Sequence, residues 1–387
     1  MNCADLYSGC GGLSKGFANA GFTLVTAFEN WEPAIQCYQK NFLHPVYKLD
    51  LNDWQSAVDI IKKIKCDIII GGPPCQDFSN AGHRIEGKRA RLTVSFAKVV
   101  CSIKPKYFVM ENVARVDKSE AYSNARKLLK KADYGLTEKV LNACYFGVPQ
   151  NRKRFFCIGA LGDQDGFLDD LLTANQSEFP LTVKNYLHNK VNFSYYYRHP
   201  RSYTRRGIFS INEPAPTVRV SNRPLPPDYK KHEGDIINPK RKGIRALTFE
   251  ERALIQSFPE DYIWLDSPRI NDELIGNAVP VKLAEHVANC IFDYSKNPNQ
   301  VKEIGFKDWL QKEKKYKSRA AGNVISRIRR MKRIILQKQE IKDSENNFVS
   351  IIEELGYFDT FTTSVKSQLK RAQTLYAEYC SKHMKGA

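Results

Sequence analysis

The sequence predicts an α/β fold: a parallel sheet within the first 160 residues, then a smaller loop-rich domain, then a helical C-terminal extension. Three observations indicate this order. Short apolar runs alternate with helix-like stretches up to about residue 160, which is the pattern of βαβ units. From about 162 to 245 a polar stretch follows, and its prolines exclude long helices. Apolar residues at helical spacing return at 248–258, after 276–280, at 324–335 and at 365–376.

Four apolar runs of the first part are predicted strands, and each leads into residues with chemical functions. The runs and the residues that follow them are 2–7 before Ser8, 24–28 before Glu29, 67–70 before Gly71 and 107–110 before Glu111. In open parallel sheets, ligands bind outside the carboxyl ends of the strands. These four ends are therefore expected to converge on one crevice.

Composition and charge limit the class of protein. The 387 residues include 60 Lys and Arg against 42 Asp and Glu, for a formal net charge of +18, which favours a polyanionic partner. A hydrophobic fraction of 42% is too high for a disordered chain. No apolar run reaches the ~18 residues of a membrane span, and the N-terminus lacks the layout of a signal peptide. The sequence predicts a cytoplasmic protein without membrane contact.

The first strand leads into a glycine-rich turn. Gly9, Gly11 and Gly12 between a strand and a helix let the backbone approach a ligand closely, although structural glycine turns are as common. A phosphate-binding loop is disfavoured because the Gly-Lys-Ser/Thr ending is absent. Glu29, at the end of the second strand, could accept hydrogen bonds from two ribose hydroxyls or could simply be solvated.

The third strand leads into Pro73-Pro74-Cys75. Two prolines stiffen this loop and remove two N–H groups, so Cys75 is expected to be held in a fixed presentation, as a nucleophile requires. The ten cysteines of the chain are scattered, without the close pairs of a zinc site, and the other nine are expected to be buried thiols. No metal is predicted.

The basic residues concentrate in two segments. Residues 181–245 carry 14 Lys and Arg against 4 Asp and Glu, interleaved with aromatic residues, a combination that suits contacts with phosphates and base edges. Residues 312–338 carry 11 Lys and Arg and one acid. This second segment could bind DNA or form a docking face for a partner.

Six ordered motifs resemble those of the cytosine-5 DNA methyltransferase family, of the prokaryotic restriction–modification type. They are the glycine turn at 5–13, Pro-Cys-Gln at 74–76, Glu-Asn-Val at 111–113, Gln-x-Arg-x-Arg at 150–154, residues 245–259, and Gly-Asn-Ala-Val-Pro at 276–280. The resemblance implies a Rossmann-like methyltransferase core that uses S-adenosyl-L-methionine, leaves S-adenosyl-L-homocysteine and needs no metal. It covers roughly residues 1–290 and leaves the C-terminal extension outside.

The resemblance also implies roles for individual residues. Cys75 would add to carbon 6 of cytosine, Glu111 would contact ring nitrogen 3, and Arg152 and Arg154 would donate to the cytosine oxygen and to nearby phosphates. The residues implied to bind the cofactor are Tyr7, Ser8, Gly9, Cys10, Gly11, Gly12, Leu13, Glu29, Asn30, Asp50, Asn277 and Val279. The target cytosine would be flipped out of the duplex.

The resemblance implies that DNA contacts lie in the middle region, at the position of the family's target-recognition segment. The arginines predicted to contact DNA are Arg198, Arg201, Arg205, Arg206, Arg219 and Arg223. The predicted domains are 1–161 (first part of the catalytic and cofactor-binding domain), 162–265 (target recognition), 266–296 (return segment) and 297–387 (basic helical extension).

The predicted function is methylation of a specific duplex DNA sequence in a restriction–modification system. The predicted partner is double-stranded DNA in the nucleoid of a prokaryote, with a cognate restriction endonuclease in the same system. Two alternatives stay open: an RNA (tRNA) cytosine-5 methyltransferase of the same fold, and a non-catalytic DNA-binding relative.

Overall fold

The computed structural model describes residues 1–74, 91–174, 176–200, 202, 204–239, 241–296, 306, 309–336 and 348–383. These residues form two compact units. The first comprises Met1–Asp169 and Gln176–Ile291, and the second comprises Asp170–Asn175 and Phe292–Ala387. The finer division of the first unit into catalytic, recognition and return segments stays a prediction.

A seven-stranded sheet organises the first unit, in the order β3-β2-β1-β4-β5-β8-β6. Its strands are β1 (Asn2–Leu6), β2 (Thr23–Glu29), β3 (Val46–Lys48), β4 (Ile68–Gly71), β5 (Tyr107–Val113), β6 (Tyr134–Asn142) and β8 (Lys153–Leu161). β1 to β5 pair in parallel, whereas β8 runs antiparallel to both β5 and β6. The predicted α/β fold is confirmed.

Ten helices begin within the described part of the first unit. They are α1 (Gly12–Asn19), α2 (Glu32–Asn41), α3 (Trp54–Ile61), α4 (Arg91–Ile103), α5 (Glu120–Lys131), α6 (Asp169–Ala174), α7 (Val183–Leu187), α8 (Phe249–Ile255), α9 (Pro268–Asn277) and α10 (Val281–Lys296). The capping box of α8, between Thr248 and Glu251, explains why this helix begins where the sequence predicts helical periodicity.

The main core lies between the sheet and α3, α4 and α5. Alternate residues of the central strands, such as Leu6 and Phe108, pack with Phe96 of α4 and Leu129 of α5. Each of these four side chains is fully buried. Because the central strands are covered by helices, they read as nearly continuous apolar runs, which is why the sequence located them correctly.

A buried polar chain lies on the opposite face of β1. Asp5 is fully buried, and its Oδ2 accepts a hydrogen bond from Ser14 Oγ at 2.6 Å. Ser14 Oγ lies 2.7 Å from Tyr38 Oη, which in turn lies 2.9 Å from His44 Nε2. Burial raises the pKa of Asp5 to about 8, although the hydrogen bond from Ser14 lowers it.

We expect Asp5→Asn to flatten the pH dependence of stability. An unfolded Asp titrates near pH ~3.9, so between about pH 4 and 8 the folded state holds the extra proton and its stability falls as the pH rises. Asn keeps an oxygen acceptor for Ser14 but does not titrate. Thermal unfolding measures this across the pH range, with Asn substituted for the exposed Asp59 as control. The melting temperature of Asp5→Asn, relative to that of the wild type, should rise as the pH rises. Parallel profiles would contradict the assignment.

Short strands and loops form the middle of the chain. β9 (Tyr195–Tyr197) pairs antiparallel with β10 (Ile208–Ser210), and β11 (Ala215–Pro216) pairs in parallel with β7 (Gln150–Asn151). A separate apolar cluster containing Tyr196, Ile255 and Ile275 supports this region. β11 therefore joins the loop-rich segment directly to the strand that precedes β8.

Among the described residues, the second unit includes the helices α11 (Ser318–Leu336), α12 (Phe348–Glu354) and α13 (Thr363–His383). The predicted apolar stripe of α11, at Val324, Ile328, Met331 and Ile335, is buried. In the corresponding stripe of α13, Leu369, Ala372 and Tyr376 are buried and Val365 packs against the same cluster. The predicted helical extension is confirmed. Within the described residues, no helix is long and apolar enough to span a membrane.

Candidate active site

Four strands bring their carboxyl ends to one edge of the sheet. Leu6 of β1 pairs with Phe28 of β2 and with Gly71 of β4, and Gly71 pairs with Met110 of β5. The glycine turn, Glu29, the Gly72-Pro73 segment and Glu111 follow these positions directly. The predicted convergence of the four strand ends is confirmed.

The glycine turn has a left-handed backbone at three positions: Tyr7, Gly9 and Gly11, at φ 62°, 54° and 87°. This conformation is unusual for tyrosine, and Tyr7 holds it with its hydroxyl donating to the Leu92 carbonyl at 2.9 Å. Among the residues that the structure describes, nothing lies within 4 Å of a Cβ placed on Gly9, so this side of the turn is open to a ligand. The buried Ser8 Oγ has no hydrogen-bond partner among those same residues.

Glu29 is held by backbone donors. Its Oε2 accepts from Gly9 N at 2.8 Å, and its Oε1 accepts from Asn30 N at 2.8 Å and from Trp31 N at 2.9 Å. A carboxylate has about four acceptor positions. Three N–H donors therefore orient the group and leave acceptor capacity for a ligand.

The remaining predicted cofactor residues surround the turn. Asp50 follows β3, where its Oδ1 accepts from Asn52, and the neighbouring Leu49 N donates to Glu29 O at 2.9 Å. A Cβ on Gly12 would collide with the Val279 carbonyl oxygen, so the segment after α9 packs directly on the turn. Leu13 and Cys10 are buried beneath it, whereas the side chains of Asn30 and Asn277 are exposed.

Glu111 and Arg154 form a shielded ion pair on neighbouring strands. Arg154 Nε lies 3.0 Å from Glu111 Oε1, with side-chain exposures of 15% and 10%. A Cβ on Gly72 would lie 3.0 Å from the other carboxyl oxygen, so the end of β4 passes directly over this carboxyl. Glu111 thus lies between a fixed cation and the loop that leads to Cys75.

The pKa of the Glu111 carboxyl is raised from its ordinary value. Burial raises it, and the charges of Arg154 and Arg152, together with the hydrogen bond from Arg154, lower it without cancelling the effect of burial. A carboxyl with a raised pKa can hold a proton and donate it.

The loop that carries Cys75 is fixed at its start. Asn112 is 2% exposed, and its Nδ2 donates to the Pro73 carbonyl at 3.1 Å. Asn112 Oδ1 accepts from Val113 N at 2.8 Å, which orients the amide. Cys75 itself lies outside the described residues. The chain enters its loop beside Glu111, because Asn112 follows Glu111 and binds the carbonyl two residues before Cys75.

Arg152 lies in a different environment from Arg154. It is 1% exposed and donates to three main-chain carbonyls: Val218 at 2.9 Å, Gly276 at 3.1 Å and Ala278 at 2.9 Å. Val218 belongs to the loop-rich segment, Gly276 to the last turn of α9, and Ala278 follows that helix directly. Arg152 therefore ties the loop-rich segment and the end of α9 to the sheet, and a direct contact with substrate stays a prediction.

Comparisons with known proteins agree with this geometry. The family model of the C-5 cytosine-specific DNA methylases matches residues 1–293. The chain belongs to this family. The Type II methyltransferase M.HindV of Haemophilus influenzae is 50% identical over 77% of this chain and 98% of its own length. M.HgiDI of Herpetosiphon aurantiacus, also a Type II methyltransferase, is 46% identical over 77% and 96%.

A solved structure shows the same fold. The S. pombe Dnmt2 methyltransferase is 18% identical and covers 76% of this chain and 98% of its own, with a TM-score of 0.57. The predicted family, Rossmann-like α/β methyltransferase fold and enzyme class, DNA (cytosine-5-)-methyltransferase, are confirmed. Type II methyltransferases are the modification enzymes of restriction–modification systems. Among the described residues, no group of three His, Cys, Asp or Glu side chains could hold a metal ion.

The arginines predicted to contact DNA differ in environment. Arg205 and Arg223 are exposed. Arg206 makes a two-bond ion pair with Glu213, at 3.1 and 2.5 Å, and stacks over the Phe209 ring. Its charge is therefore largely compensated inside the methyltransferase.

Arg198, Arg219 and Arg223 surround His199. Arg198 donates to Thr217 O at 2.8 Å, and Arg219 donates to His199 O. Burial and the charges of these three arginines lower the pKa of His199. They form a positive cluster of the methyltransferase, whereas Arg201 lies outside the described residues.

Sequence reasoning missed two buried polar residues. Gln256 donates to the carbonyls of Ile275 and Ala278, at 2.6 and 3.1 Å, and accepts from Gln150 at 2.7 Å. Asp235 accepts from the N–H groups of Gly207, Ile208 and His232 and from the Tyr229 hydroxyl. A polar Gln directly after α8 is a detectable signal. Two partners of Asp235, His232 and Tyr229, are near it in sequence, but Gly207 and Ile208 are not and could not be identified from the sequence.

We expect Arg152→Met and Arg154→Met to separate stability from activity. Arg152→Met leaves three main-chain carbonyls without their hydrogen-bond donor. It should therefore lower the free energy of unfolding by about 3 kcal/mol or more. Arg154→Met should cost about 1 kcal/mol or less, because Glu111 can protonate, but it should slow methyl transfer by about 10²-fold. Denaturant unfolding and kcat/KM of both variants test this division. Equal loss of stability in the two would contradict it.

Proposed function

We propose that this methyltransferase transfers a methyl group from S-adenosyl-L-methionine to carbon 5 of a cytosine flipped out of a specific duplex DNA sequence. The step would proceed through a covalent bond between Cys75 and carbon 6 of the cytosine. The observation that carries the proposal is the shielded Glu111–Arg154 pair, beside the start of the Cys75 loop.

The residues around the glycine turn fit the cofactor. Within the described part of the chain, Ser8 Oγ has no partner and the space over Gly9 is open, while three N–H donors fix Glu29. These features suit a polar ligand with hydroxyl groups. Tyr7 to Leu13, Asn30, Asp50, Asn277 and Val279 would complete it. When bound there, S-adenosyl-L-methionine supplies an electrophilic methyl group on a sulfonium.

Each protein group then has one task. Carbon 5 of cytosine is a poor nucleophile, so Cys75 first adds to carbon 6, and the displaced electron pair makes carbon 5 nucleophilic. Glu111 donates its proton to ring nitrogen 3, which offsets the charge that develops on attack. Arg154 fixes Glu111 and reaches the cytosine oxygen. After carbon 5 is methylated, a water molecule takes its proton, and the electron pair left behind forms the double bond between carbons 5 and 6. The bond from carbon 6 to sulfur then breaks, Cys75 leaves as a thiolate, and ring nitrogen 3 returns its proton to Glu111.

Arg152 acts as a positioning residue in this scheme. It holds Gly276 and Ala278 in place, and Ala278 precedes the Val279 carbonyl that lies against Gly12. The same side chain binds Val218, next to the arginine cluster at His199. One buried cation thus fixes the position of the segment next to the glycine turn relative to the predicted recognition segment.

The surroundings of the reaction follow from the same proposal. The cluster of Arg198, Arg219 and Arg223 would contact phosphates or base edges of the duplex. The enzyme would protect bacterial DNA against a cognate endonuclease, in the cytoplasm where the nucleoid lies. The family and the Type II relatives support DNA as substrate.

Transfer of labelled methyl groups onto duplex DNA and onto transfer RNA tests the proposal against its alternatives. We expect label in duplex DNA, with the Cys75→Ser variant as the blank. Label in transfer RNA alone would favour the RNA methyltransferase. Absence of label in both, with duplex binding retained, would favour a non-catalytic DNA-binding relative.

A further inference from the structure

The C-terminal unit contains a cavity that the family match does not reach. The cavity has a volume of about 250 Å³ and lies between α11 and α13. The family model ends at residue 293. The lining residues are Tyr316, Ala320, Asn323, Val324, Arg327, Gln368, Arg371 and Ala372. Val324 and Ala372 are buried and form an apolar floor, whereas Asn323, Gln368 and Arg371 are exposed at the rim.

Two guanidinium groups share this cavity with neutral partners. Arg327 donates to Gln368 Oε1 at 2.7 Å, and Arg371 donates to the Tyr316 hydroxyl at 3.1 Å. Within the described residues, neither arginine has a carboxylate within ion-pair distance. Lysines of the same unit differ, since Lys370 lies 3.4 Å from Glu353 and Lys314 lies 2.7 Å from Glu378.

The two charges act on each other. Burial and the neighbouring charge of Arg371 lower the pKa of Arg327. Two like charges in one cavity raise its free energy unless an anion lies between them. Neutral partners orient the two guanidinium groups without neutralising them, so the cavity is prepared for an anionic ligand.

We propose that this cavity binds a backbone phosphate of DNA, with Arg327 and Arg371 as its two cationic donors. Guanidinium groups match the geometry of phosphate oxygens. The Tyr316 hydroxyl accepts from Arg371 and keeps its own hydrogen for a ligand. The apolar floor suits the sugar that adjoins a phosphate.

DNA is favoured as the source of the phosphate by the charge of the surrounding chain. Residues 312–338 carry 11 Lys and Arg against one acid, so a phosphodiester chain could continue beyond the cavity. This choice of polyanion rests on the proposed function. A free phosphate or a mononucleotide would have the same chemistry, and the experiment separates these sources.

The test measures binding of a short fluorescent duplex of arbitrary sequence to the full chain, over a series of KCl concentrations and without cofactor. Arg371→Gln and Arg327→Gln should each weaken binding roughly tenfold at low salt and reduce the slope of log K against log salt by about 0.9. Lys370→Gln is the matched control. It also removes one positive charge from α13, at the position next to Arg371, but this charge is already paired with Glu353. Its slope should stay near that of the wild type.

A second arm uses inorganic phosphate against chloride at equal ionic strength, with the melting temperature as readout. A fall in slope confined to the two arginine variants supports the proposal. Unchanged slopes with a phosphate-dependent rise in melting temperature would overturn DNA as the source. Unchanged slopes with no such rise would overturn the anion site altogether. Each result is independent of methyl transfer, so a failure of the proposed function is seen separately in the labelling assay.

Discussion

A Cys75→Ser variant should lose methyl transfer by a factor on the order of 10⁴ or more while still binding duplex DNA. A serine hydroxyl is far less acidic than a thiol, so it cannot supply the anionic nucleophile that adds to carbon 6. The fixed start of the loop, at Pro73 and Asn112, does not depend on the sulfur. Single-turnover methylation and a gel-shift titration measure the two properties separately.

Cys101→Ser is the control for this experiment. Cys101 is a half-buried free thiol on α4 and has no part in the proposed chemistry. We expect its methylation rate to match that of the wild type. Undiminished turnover in Cys75→Ser would refute the covalent route, and loss in both variants would point to a general sensitivity to thiol replacement.

Glu111→Gln should reduce kcat by about 10²–10⁴-fold, the range of a lost general acid. Gln keeps the shape of the side chain and can still accept from Arg154, but it has no proton to transfer. The raised pKa of Glu111 also predicts the pH profile, because the protonated form is the active one. Activity of the wild type should fall as the pH rises through this pKa. This descending limb of the pH–activity profile should be absent in Glu111→Gln.

Arg154→Met provides an internal check on the same limb. The charge of Arg154 lowers the pKa of Glu111, so its removal should move the descending limb to higher pH. The profile of kcat/KM against pH reports this in the free enzyme. A descending limb at the same pH in wild type, Glu111→Gln and Arg154→Met would exclude Glu111 as the titrating group.

Sequence alone predicted the parts of the site that depend on local pattern. The glycine turn follows β1, Glu29 is the last residue of β2, and Glu111 lies in the last half of β5. A parallel sheet brings these strand ends to one edge. The proximity of Glu111 to the Cys75 loop has the same origin, because β4 and β5 are neighbours. The stripes of α11 and α13 were equally readable, since burial follows the helical period.

The sequence could not predict that Arg152 binds main-chain carbonyls while Arg154 pairs with Glu111. Residues two apart in one strand face the same side, which suggests a common role for both. Arg152 instead lies between the end of β7 and the start of β8, so the alternation is interrupted there. The partners of Arg152 are 66 to 126 residues away in sequence.

The loop-rich segment limited prediction for a similar reason. Arg205 and Arg206 are adjacent in sequence, but Arg205 is exposed whereas Arg206 forms an ion pair with Glu213. Only the folded chain shows this difference. Asp235 likewise accepts four hydrogen bonds, and two of the donors, the N–H groups of Gly207 and Ile208, are far from it in sequence. Composition identified a basic recognition segment, and tertiary contacts decide which of its charges are available.

Bisulfite sequencing of DNA from cells that express this protein tests the central claim most directly, because 5-methylcytosine resists the deamination that converts cytosine. We expect protected cytosines at one fixed position within one short sequence, on DNA from cells with the wild-type protein. Cells with Cys75→Ser should show none. Complete conversion of cytosine throughout the DNA of wild-type-expressing cells, with the protein folded and present, would contradict the account.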